Sequence, residues 1–232
     1  MDFKAGEILL VNKPLEWTSF DVVKFLKFRL QAIEKVKVGH AGTLDPLATG
    51  LLIICTGKAT KKIIDFQYLG KTYTGTIRLG ATTPCYDREM PPNCFYPTKH
   101  ITEDDINQNA QKLTGWIDQQ VPLYSAVKQN GKKLYKLARK GKVIETKSRK
   151  VEVKSFKITK VKMPYIDFEI ECSKGTYIRS LAHDLGKALN SGGFLWSLKR
   201  THIGQHKLTD AWELDDLTEK IRLIANTVKL SD

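Results

Sequence analysis

Paired cysteines and long apolar runs, two features of many secreted and membrane proteins, are missing from this sequence. The four cysteines form no C-x-x-C pair and follow no regular spacing, which excludes a zinc ribbon and a disulfide framework. No apolar run approaches the length that spans a membrane, and the first residues lack the charged-then-apolar pattern of a secretory signal. We therefore expect a reduced, cytoplasmic protein with no membrane contact. Cys55 and Cys172 stand at the ends of apolar strands, where free cysteine behaves as a small buried hydrophobe.

Acidic residues are also in short supply. The chain carries 25 Asp and Glu against 38 Lys and Arg, which gives a formal net charge of +13. Such an excess predicts a polyanionic partner, and nucleic acid is the first candidate. Surplus lysine also aids solubility, so charge alone does not name the polymer.

What is present describes an ordinary globular protein. Hydrophobic residues make up 41% of the chain and charged residues 27%. A length of 232 residues suits one large domain or two small ones and is enough to bury a substantial core. Disorder is not expected.

One stretch organises the rest of the chain: a polar loop that leads directly into an apolar strand. Gly39 to Gly50 reads GHAGTLDPLATG, and the five apolar residues LLIIC follow. Asp45 sits where the loop tightens, and His40 lies five residues before it. A strand fixes position while glycines let a ligand approach the backbone, so this layout suits a reactive carboxylate at the mouth of a sheet. Asp-Pro also begins ordinary turns, which leaves plain turn chemistry open for Asp45.

The whole string GHAGTLDPLATGLL resembles the active-site loop of the TruB family of tRNA pseudouridine synthases, and similar segments recur in order from Gly6 to about Leu217. The resemblance implies an α+β pseudouridine synthase fold, with a central mixed, mostly antiparallel β-sheet flanked by helices and loops. It also implies a single catalytic domain over residues 1–232, with an inserted RNA-binding thumb at about residues 124–150. Many relatives continue into a C-terminal PUA domain, for which we expect no room after Leu217.

Several elements are predicted from local pattern. Helix starts are indicated by the three-residue spacings Thr18 to Asp21 and Thr102 to Asp105, which fit capping boxes. A slip in the alternation near Ser155 predicts a β-bulge. The remaining predictions are a strand over 7–11 that ends in a turn at 12–14, a Thr-rich strand over 71–79, a long surface loop over 81–100, a strand over 166–172, an amphipathic helix after it, a strand and turn over 194–204 and a closing helix over 214–224.

Two other motifs resemble known functional patterns, but their spacing excludes those functions. The Gly57-Lys58 pair is not a phosphate-binding P-loop, because six residues instead of four separate Gly50 from Gly57 and Ala59 follows the lysine. We expect a helix start there, with lysines that face solvent or RNA phosphate. His183 and Asp184 do not form a hydrolase pair, because adjacent helical residues point in different directions.

A basic segment follows residue 124. Lysines and an arginine interleave with Tyr135 and two leucines between Gly131 and Gly141, a pattern suited to phosphate contact and stacking on a folded RNA loop. A solvated basic helix is the alternative. The string resembles the family's thumb, which favours RNA binding by five residues: Lys128, Lys132, Lys133, Lys136 and Arg139.

Roles for individual residues come from the resemblance. Pseudouridine formation breaks the C1′–N1 bond of uridine and joins C5 to C1′, which requires an ionised carboxylate in a pocket that excludes water and demands neither a metal nor a cofactor. The family pattern assigns Asp45 as nucleophile or base, with Arg179 of the segment KGTYIRS as its ion-pair partner. Tyr73 then meets the flipped base, His40 enters the gap in the RNA, and Tyr177 contacts RNA.

The expected partner is the T-arm stem-loop of tRNA, bound by a monomer, with the uridine at tRNA position 55 as the target. The main alternative is a non-catalytic RNA-binding or tRNA-folding protein on the same scaffold. A guide-RNA-dependent relative is a further alternative, but those relatives carry the additional domain.

Overall fold

The computed structural model describes residues 1–125, 127–129, 132–134, 138 and 146–229. These residues form two compact units. The first comprises Met1–Tyr73 and the chain from Lys199 onward, and the second comprises Thr74–Leu198. Whether the chain acts as the single domain predicted above stays a prediction.

The described strands, in chain order, are β1 (Ile8–Lys13), β2 (Val38–Ala41), β3 (Ala48–Thr56), β4 (Lys71–Leu79), β5 (Ala81–Thr82), β6 (Cys94–Phe95), β7 (Gly115–Gln120), β8 (Lys128–Gln129), β9 (Lys132–Lys133), β10 (Ser148–Lys162), β11 (Tyr165–Cys172), β12 (Gly193–Ile203) and β13 (His206–Lys207). The described α-helices are α1 (Ser19–Leu30), α2 (Ile63–Tyr68), α3 (Glu103–Lys112), α4 (Ile178–Ala188) and α5 (Leu214–Lys229). Short 3₁₀ helices span Gly57–Lys62 and Leu208–Asp210. None of the helices in these described ranges has the length and apolarity that would carry it across a membrane.

Strand β3 is the centre of the first unit. It pairs antiparallel with β1 from Ile8↔Cys55 to Lys13↔Gly50, and with β2 from Val38↔Thr56 to Ala41↔Ile53. Both faces of β3 are covered: Leu52 and Ile54 pack with α1 and α5, whereas Leu51 and Ile53 pack with Ile63 and Leu208. A strand buried on both faces has no polar side to show, which explains its uninterrupted apolar run.

Helix α1 begins as predicted. The Thr18 hydroxyl accepts the Asp21 N–H, and the Asp21 carboxylate accepts the Thr18 N–H, which completes the capping box. The apolar stripe of α1 is buried against β1 and β3. Its last residue, Leu30, is fully buried.

Strand β1 is longer than predicted. It continues through Asn12 and Lys13 instead of turning there, so the predicted turn at 12–14 is wrong. Lys13 is fully buried in the strand, and backbone carbonyl oxygens accept hydrogen bonds from its ammonium group, which offsets the cost of burying the charge. The helix start after the rejected P-loop is confirmed, because a 3₁₀ helix with exposed lysines leads into α2.

The second unit contains residues 193–198 of β12, residues 74–79 of β4 and all of β11, β10 and β7, and these strands follow one another as neighbours in that order. Strand β10 pairs antiparallel with both β11 and β7, and its register shifts between Val153 and Ser155, which confirms the predicted bulge. One face of β11 is buried at Ile166, Phe168 and Ile170, and α3 packs against β10 and α4. The predicted α+β class is confirmed by this alternation of antiparallel strands with flanking helices.

The segment 81–100 is only partly the surface loop that its prolines predict. It contains the short antiparallel pair of β5 and β6, with Ala81 opposite Phe95. Thr83, Cys85 and Asp87 are buried, so the beginning of this segment belongs to the packed interior.

Candidate functional site

Asp45 lies in the six-residue loop that connects the antiparallel strands β2 and β3. The Ala48 N–H donates to the Asp45 carbonyl oxygen over 3.0 Å, which closes the turn at that residue. The Asp45 side chain is half-buried. The loop therefore presents its carboxylate from a hairpin whose second strand is the buried centre of the first unit.

Helix α1 fixes the backbone on the N-terminal side of Asp45. The Leu44 N–H donates to Ser19 Oγ over 2.8 Å, and Ser19 Oγ lies 3.3 Å from the Leu44 carbonyl oxygen, to which it donates. Ser19 and Leu44 are both buried. One hydroxyl at the start of α1 thus holds both polar backbone groups of the residue before Asp45.

Lys13 fixes the backbone on the C-terminal side. Its Nζ atom donates to the carbonyl oxygens of Pro14, Trp17 and Pro46 at 2.8, 2.5 and 3.2 Å. Burial lowers the pKa of the Lys13 ammonium from 10.5 to about 8, while the negative charge of Asp45 acts in the opposite sense. Lys13 is therefore a cation held close to the loop by carbonyl dipoles and favoured by the Asp45 carboxylate.

Arg200 supplies a third anchor. Its guanidinium is buried and donates from Nε to the Leu51 carbonyl at 2.8 Å and from Nη2 to the Gly42 carbonyl at 3.0 Å. Gly50 has a left-handed φ of +101°, and a Cβ atom there would lie 2.4 Å from the Arg200 carbonyl oxygen. Glycine at position 50 thus permits β3 and β12 to approach closely beside the loop.

His40 and Tyr73 belong to the same unit. His40 lies on β2 opposite Ile54, and burial lowers its pKa, with the positive charge of Arg200 adding to the effect. Among the described residues, its Nδ1 atom has no hydrogen-bond partner. Tyr73 lies on β4 and is 8% exposed. Burial and the Arg200 charge thus both disfavour the protonated form of the His40 imidazole.

Arg179 is buried in the first turn of α4 in the second unit. Its Nε atom lies 3.6 Å from Asp87 Oδ2, while Nη1 donates to the Cys85 carbonyl at 2.9 Å and Nη2 to the Tyr124 carbonyl at 3.0 Å. The pairing of Arg179 with Asp45 stays a prediction. The Asp87 contact was not predicted, because the proline-rich composition of its segment indicated an exposed loop.

Asp87 is itself held on several sides. Its Oδ1 atom accepts the Glu89 N–H at 2.9 Å and lies 3.0 Å from the Cys85 sulfur, which donates to it. Burial raises the pKa of the Cys85 thiol, and its bond to the Asp87 carboxylate adds to that rise, so the thiol keeps the proton that it donates. Asp87 and Arg179 therefore form a buried ion pair whose other polar atoms also have partners.

Tyr177 precedes Arg179 at the junction between β11 and α4, as the sequence indicated. The buried side chain of Gln119 holds its backbone: Oε1 accepts the Tyr177 N–H at 2.7 Å, and Nε2 donates to the Tyr177 carbonyl at 3.0 Å. The Arg149 guanidinium lies over the Tyr177 ring, 4.5 Å from its centroid. This arrangement offers a half-exposed aromatic ring with a cation on its face.

His183 has a packing role. Its ring stacks on Tyr86 with centroids 4.0 Å apart and planes 11° from parallel. That His183 and Asp184 form no hydrolase pair stays a prediction.

The thumb is described only in part. Strands β8 and β9 pair antiparallel, with Lys128 opposite Lys133. Three of the lysines predicted to bind RNA, Lys128, Lys132 and Lys133, lie in these strands, and only their backbone is described. Lys136 and Arg139 lie outside the described residues. Their predicted roles in RNA binding stay predictions.

Comparison with known proteins gives one consistent result. The family model described as TruB family pseudouridylate synthase, N-terminal domain, matches residues 29–178. A tRNA pseudouridine synthase B of Flavobacterium johnsoniae is 48% identical over 95% of this chain and 98% of its own length. The protein of the same name from Parabacteroides distasonis is 47% identical over 100% of this chain and 99% of its own length.

Solved structures give the same fold. A chain of a Cbf5-Nop10-Gar1 complex has a TM-score of 0.71 and 27% identity over 94% of this chain and 54% of its own length. A chain of an H/ACA RNP bound to a substrate RNA containing 2′-deoxyuridine has a TM-score of 0.69 and 26% identity, over 94% of this chain and 53% of its own length. The present chain thus spans about half the length of these two solved chains. The predicted pseudouridine synthase fold is confirmed.

Proposed function

Because the chain belongs to the TruB family of pseudouridylate synthases, we propose that it is a tRNA pseudouridine synthase whose target is the T-loop uridine at tRNA position 55. The observation that carries this proposal is the placement of Asp45. Ser19, Lys13 and Arg200 hold the loop backbone on both sides of a carboxylate that is itself left half-buried. An acid in such a preorganised loop suits chemistry at a bound sugar.

The reaction rearranges one nucleotide without net loss or gain of atoms. The C1′–N1 bond breaks, the uracil turns, and C5 bonds to C1′. The hydrogen on C5 then leaves as a proton, and N1 gains one. Asp45 either bonds to the sugar to release the base or removes a sugar proton. In either role it acts ionised, at a site from which water is excluded.

Arg179 is the cation that favours the ionised form of Asp45, as the family pattern implies. Support for a fixed role comes from its own surroundings, since Asp87 and two carbonyl oxygens orient its guanidinium. A buried guanidinium that has lost its side-chain freedom keeps its charge in one place during the reaction.

Tyr73, His40 and Tyr177 act on the RNA. Tyr73 meets the flipped uracil, and His40 fills the gap left in the loop, which offsets part of the unstacking cost. The Tyr177 ring, with the Arg149 cation on its face, suits contact with a base next to a phosphate. The thumb lysines and Arg139 add phosphate contacts, and the protein works as a cytoplasmic monomer on the T-arm.

Release of tritium from tRNA that carries [5-³H]uridine tests the proposal. The purified chain alone should release tritium to the extent of one uridine per tRNA, and a transcript with cytidine at position 55 should release none above background. No release from the uridine transcript, with binding intact, would instead support the non-catalytic RNA-binding alternative. Release that depends on an added guide RNA would support the guided alternative.

A further inference from the structure

The outward face of α1 carries exposed aromatic and basic side chains together. Phe20 is 58% exposed and Phe28 is 73% exposed. Lys24 and Lys27, which share this face, are also exposed, and Lys24 Nζ lies 4.9 Å from the Phe20 ring centroid. At 100° per residue these four positions fall within about 100° of the helix circumference. We call this surface, made of Phe20, Lys24, Lys27 and Phe28, the α1 stripe.

The α1 stripe has no role in the core of its unit. The core side of the same helix is formed by other residues, including Val22, Leu26 and Leu30. Two large exposed rings that share one helix face with lysines form a surface that an RNA partner could cover. Two acidic residues, Asp21 and Glu16, border the N-terminal end of the stripe.

The position of the stripe identifies the kind of partner. It begins at Phe20, directly after Ser19, and Ser19 holds Leu44 next to Asp45. The N-terminal end of α1 therefore lies beside the loop that carries Asp45, and RNA with a uridine at Asp45 would lie near this end of the stripe. From there to Phe28 the helix runs about 12 Å, at 1.5 Å per residue.

We infer that the α1 stripe is a second RNA-binding surface, on which Lys24 and Lys27 contact phosphates of the tRNA while Phe20 and Phe28 stack on unpaired bases. This inference rests on the proposed function for the identity of the RNA. Cationic side chains next to aromatic rings are the combination by which proteins hold single-stranded or looped RNA. Beside Lys24 lies a hollow of about 360 Å³ that gives an unpaired base room, and its lining is Glu16, Trp17, Asp21, Lys24 and Phe25.

A second copy of the chain fits the stripe less well. In a twofold dimer the same surface is used by both copies, so four lysines, Lys24 and Lys27 of each copy, would share one interface. Like charges brought together in this way disfavour association. The polyanion is the complementary partner.

Two double variants test the inference, with a matched control. Lys24→Ala with Lys27→Ala removes the charges, and Phe20→Ala with Phe28→Ala removes the rings. The control, Lys220→Ala with Leu223→Ala, removes one lysine and one exposed apolar side chain from α5. Equilibrium binding of unmodified tRNA transcript is measured at several salt concentrations, and thermal unfolding confirms the fold of each variant.

The lysine variant should raise the Kd about tenfold and reduce the slope of log Kobs against log salt by roughly 1.4 to 1.8, as for two lost phosphate contacts. The phenylalanine variant should raise the Kd about tenfold with the slope unchanged, as for lost stacking. The control should bind as the unmodified chain does, and Lys24→Arg with Lys27→Arg should restore binding.

Unchanged Kd and slope in both stripe variants would overturn the inference. So would a stripe variant that alters the sedimentation of the chain, or its binding to anionic vesicles, while tRNA affinity stays the same. The proposed function is judged separately, because tritium release by the unmodified chain tests it and the binding measurement needs no turnover. If the chain turns over, the stripe variants should raise KM and leave kcat unchanged.

Discussion

The Nζ atom of Lys13 lies 3.2 Å from the carbonyl oxygen of Pro46, the residue that follows Asp45. A fully buried lysine thus holds the loop that carries the candidate catalytic acid. The cost of burying its charge appears in a pKa lowered to about 8. Because that charge interacts with Asp45, the stability of the fold and the state of the loop are linked.

This linkage predicts an unusual pH dependence of stability. In the unfolded chain Lys13 keeps its proton to about pH 10.5, but in the folded chain it loses the proton near pH 8. Between these values the unfolded state binds more protons, so folding stability rises with pH, by about 2 kcal/mol by pH 10. Urea denaturation of the unmodified chain and of Lys13→Met between pH 7 and 10 measures the effect. The difference in unfolding free energy should grow with pH, and two parallel curves would contradict it.

The same lysine reports on Asp45. The carboxylate raises the Lys13 pKa, so Asp45→Asn should lower that pKa further. The NMR shift of the Lys13 side chain, followed through a pH titration of both proteins, measures the change. A Lys13 pKa that is unchanged or higher in Asp45→Asn would show that the two charges do not interact.

Asp45→Asn should also abolish turnover. We expect tritium release to fall by more than about 10⁴-fold, or roughly 5 kcal/mol of barrier, with the fold and tRNA affinity retained. The amide keeps the shape of the side chain but neither bonds readily to the sugar nor accepts a proton from it. Single-turnover rates with saturating enzyme make the comparison independent of binding. Activity close to that of the unmodified chain would falsify the assignment.

Asp87→Asn should destabilise the fold markedly. It removes the Asp87 carboxylate from beside the buried Arg179 guanidinium, which is 5% exposed, and this costs about 3 kcal/mol. Glu171→Gln is the matched control, because its ion pair with Lys154 is shorter, at 3.0 Å, but about half exposed. The control should cost less than about 1 kcal/mol. If chemical denaturation gave the same loss in unfolding free energy for both variants, burial would not determine how much each ion pair stabilises the fold.

Gly50→Ala should distort the loop that carries Asp45, because there is no room for the added methyl group. The new Cβ would lie 2.4 Å from the Arg200 carbonyl oxygen, at a φ of +101°. Gly115 serves as the control, because its φ is +83° but nothing lies within 4 Å of its added Cβ. Gly115→Ala should therefore cost only the conformational strain of about 1 kcal/mol, and Gly50→Ala clearly more. Thermal unfolding and tritium release measure both, and similar losses would rule out the steric explanation.

The prediction for the thumb concerns the contribution of its lysine charges to tRNA binding. Neutralising Lys132, Lys133 and Lys136 together should weaken tRNA binding, and each lost phosphate contact should reduce the log-log salt slope by roughly 0.7 to 0.9. Filter binding across a salt series measures the slope. If the slope stays the same, these lysines form a solvated face.

Local patterns predicted much of the fold because each depends on neighbouring residues. The capping boxes at Thr18 and Thr102 form within one helical turn, and both are present. The bulge near Ser155 follows from a slip in side-chain alternation, which any strand with one buried face must accommodate. The run Leu51–Cys55 predicted a buried strand, because a continuous apolar run is likewise a property of neighbouring residues.

Burial of charged groups was not predictable in this way. Lys13 and Asp87 stand in segments whose composition indicates a turn and a surface loop, and one partner of each, the Pro46 carbonyl and the Arg179 guanidinium, comes from a distant part of the chain. Only the assembled backbone brings the Pro46 carbonyl to Lys13 or the Arg179 guanidinium to Asp87. The position of Lys13 two residues after the apolar run ILLV is a weak signal in the sequence that its ammonium group is buried.

The Arg200 anchor has a consequence for synthesis of the protein. Its guanidinium bonds the Gly42 carbonyl across 158 positions of sequence. A nascent chain that has released the Asp45 hairpin from the ribosome still lacks the residue that completes it. The loop therefore reaches its final form only after most of the polypeptide has been translated, and truncated products that end before residue 200 carry the acid without its full support.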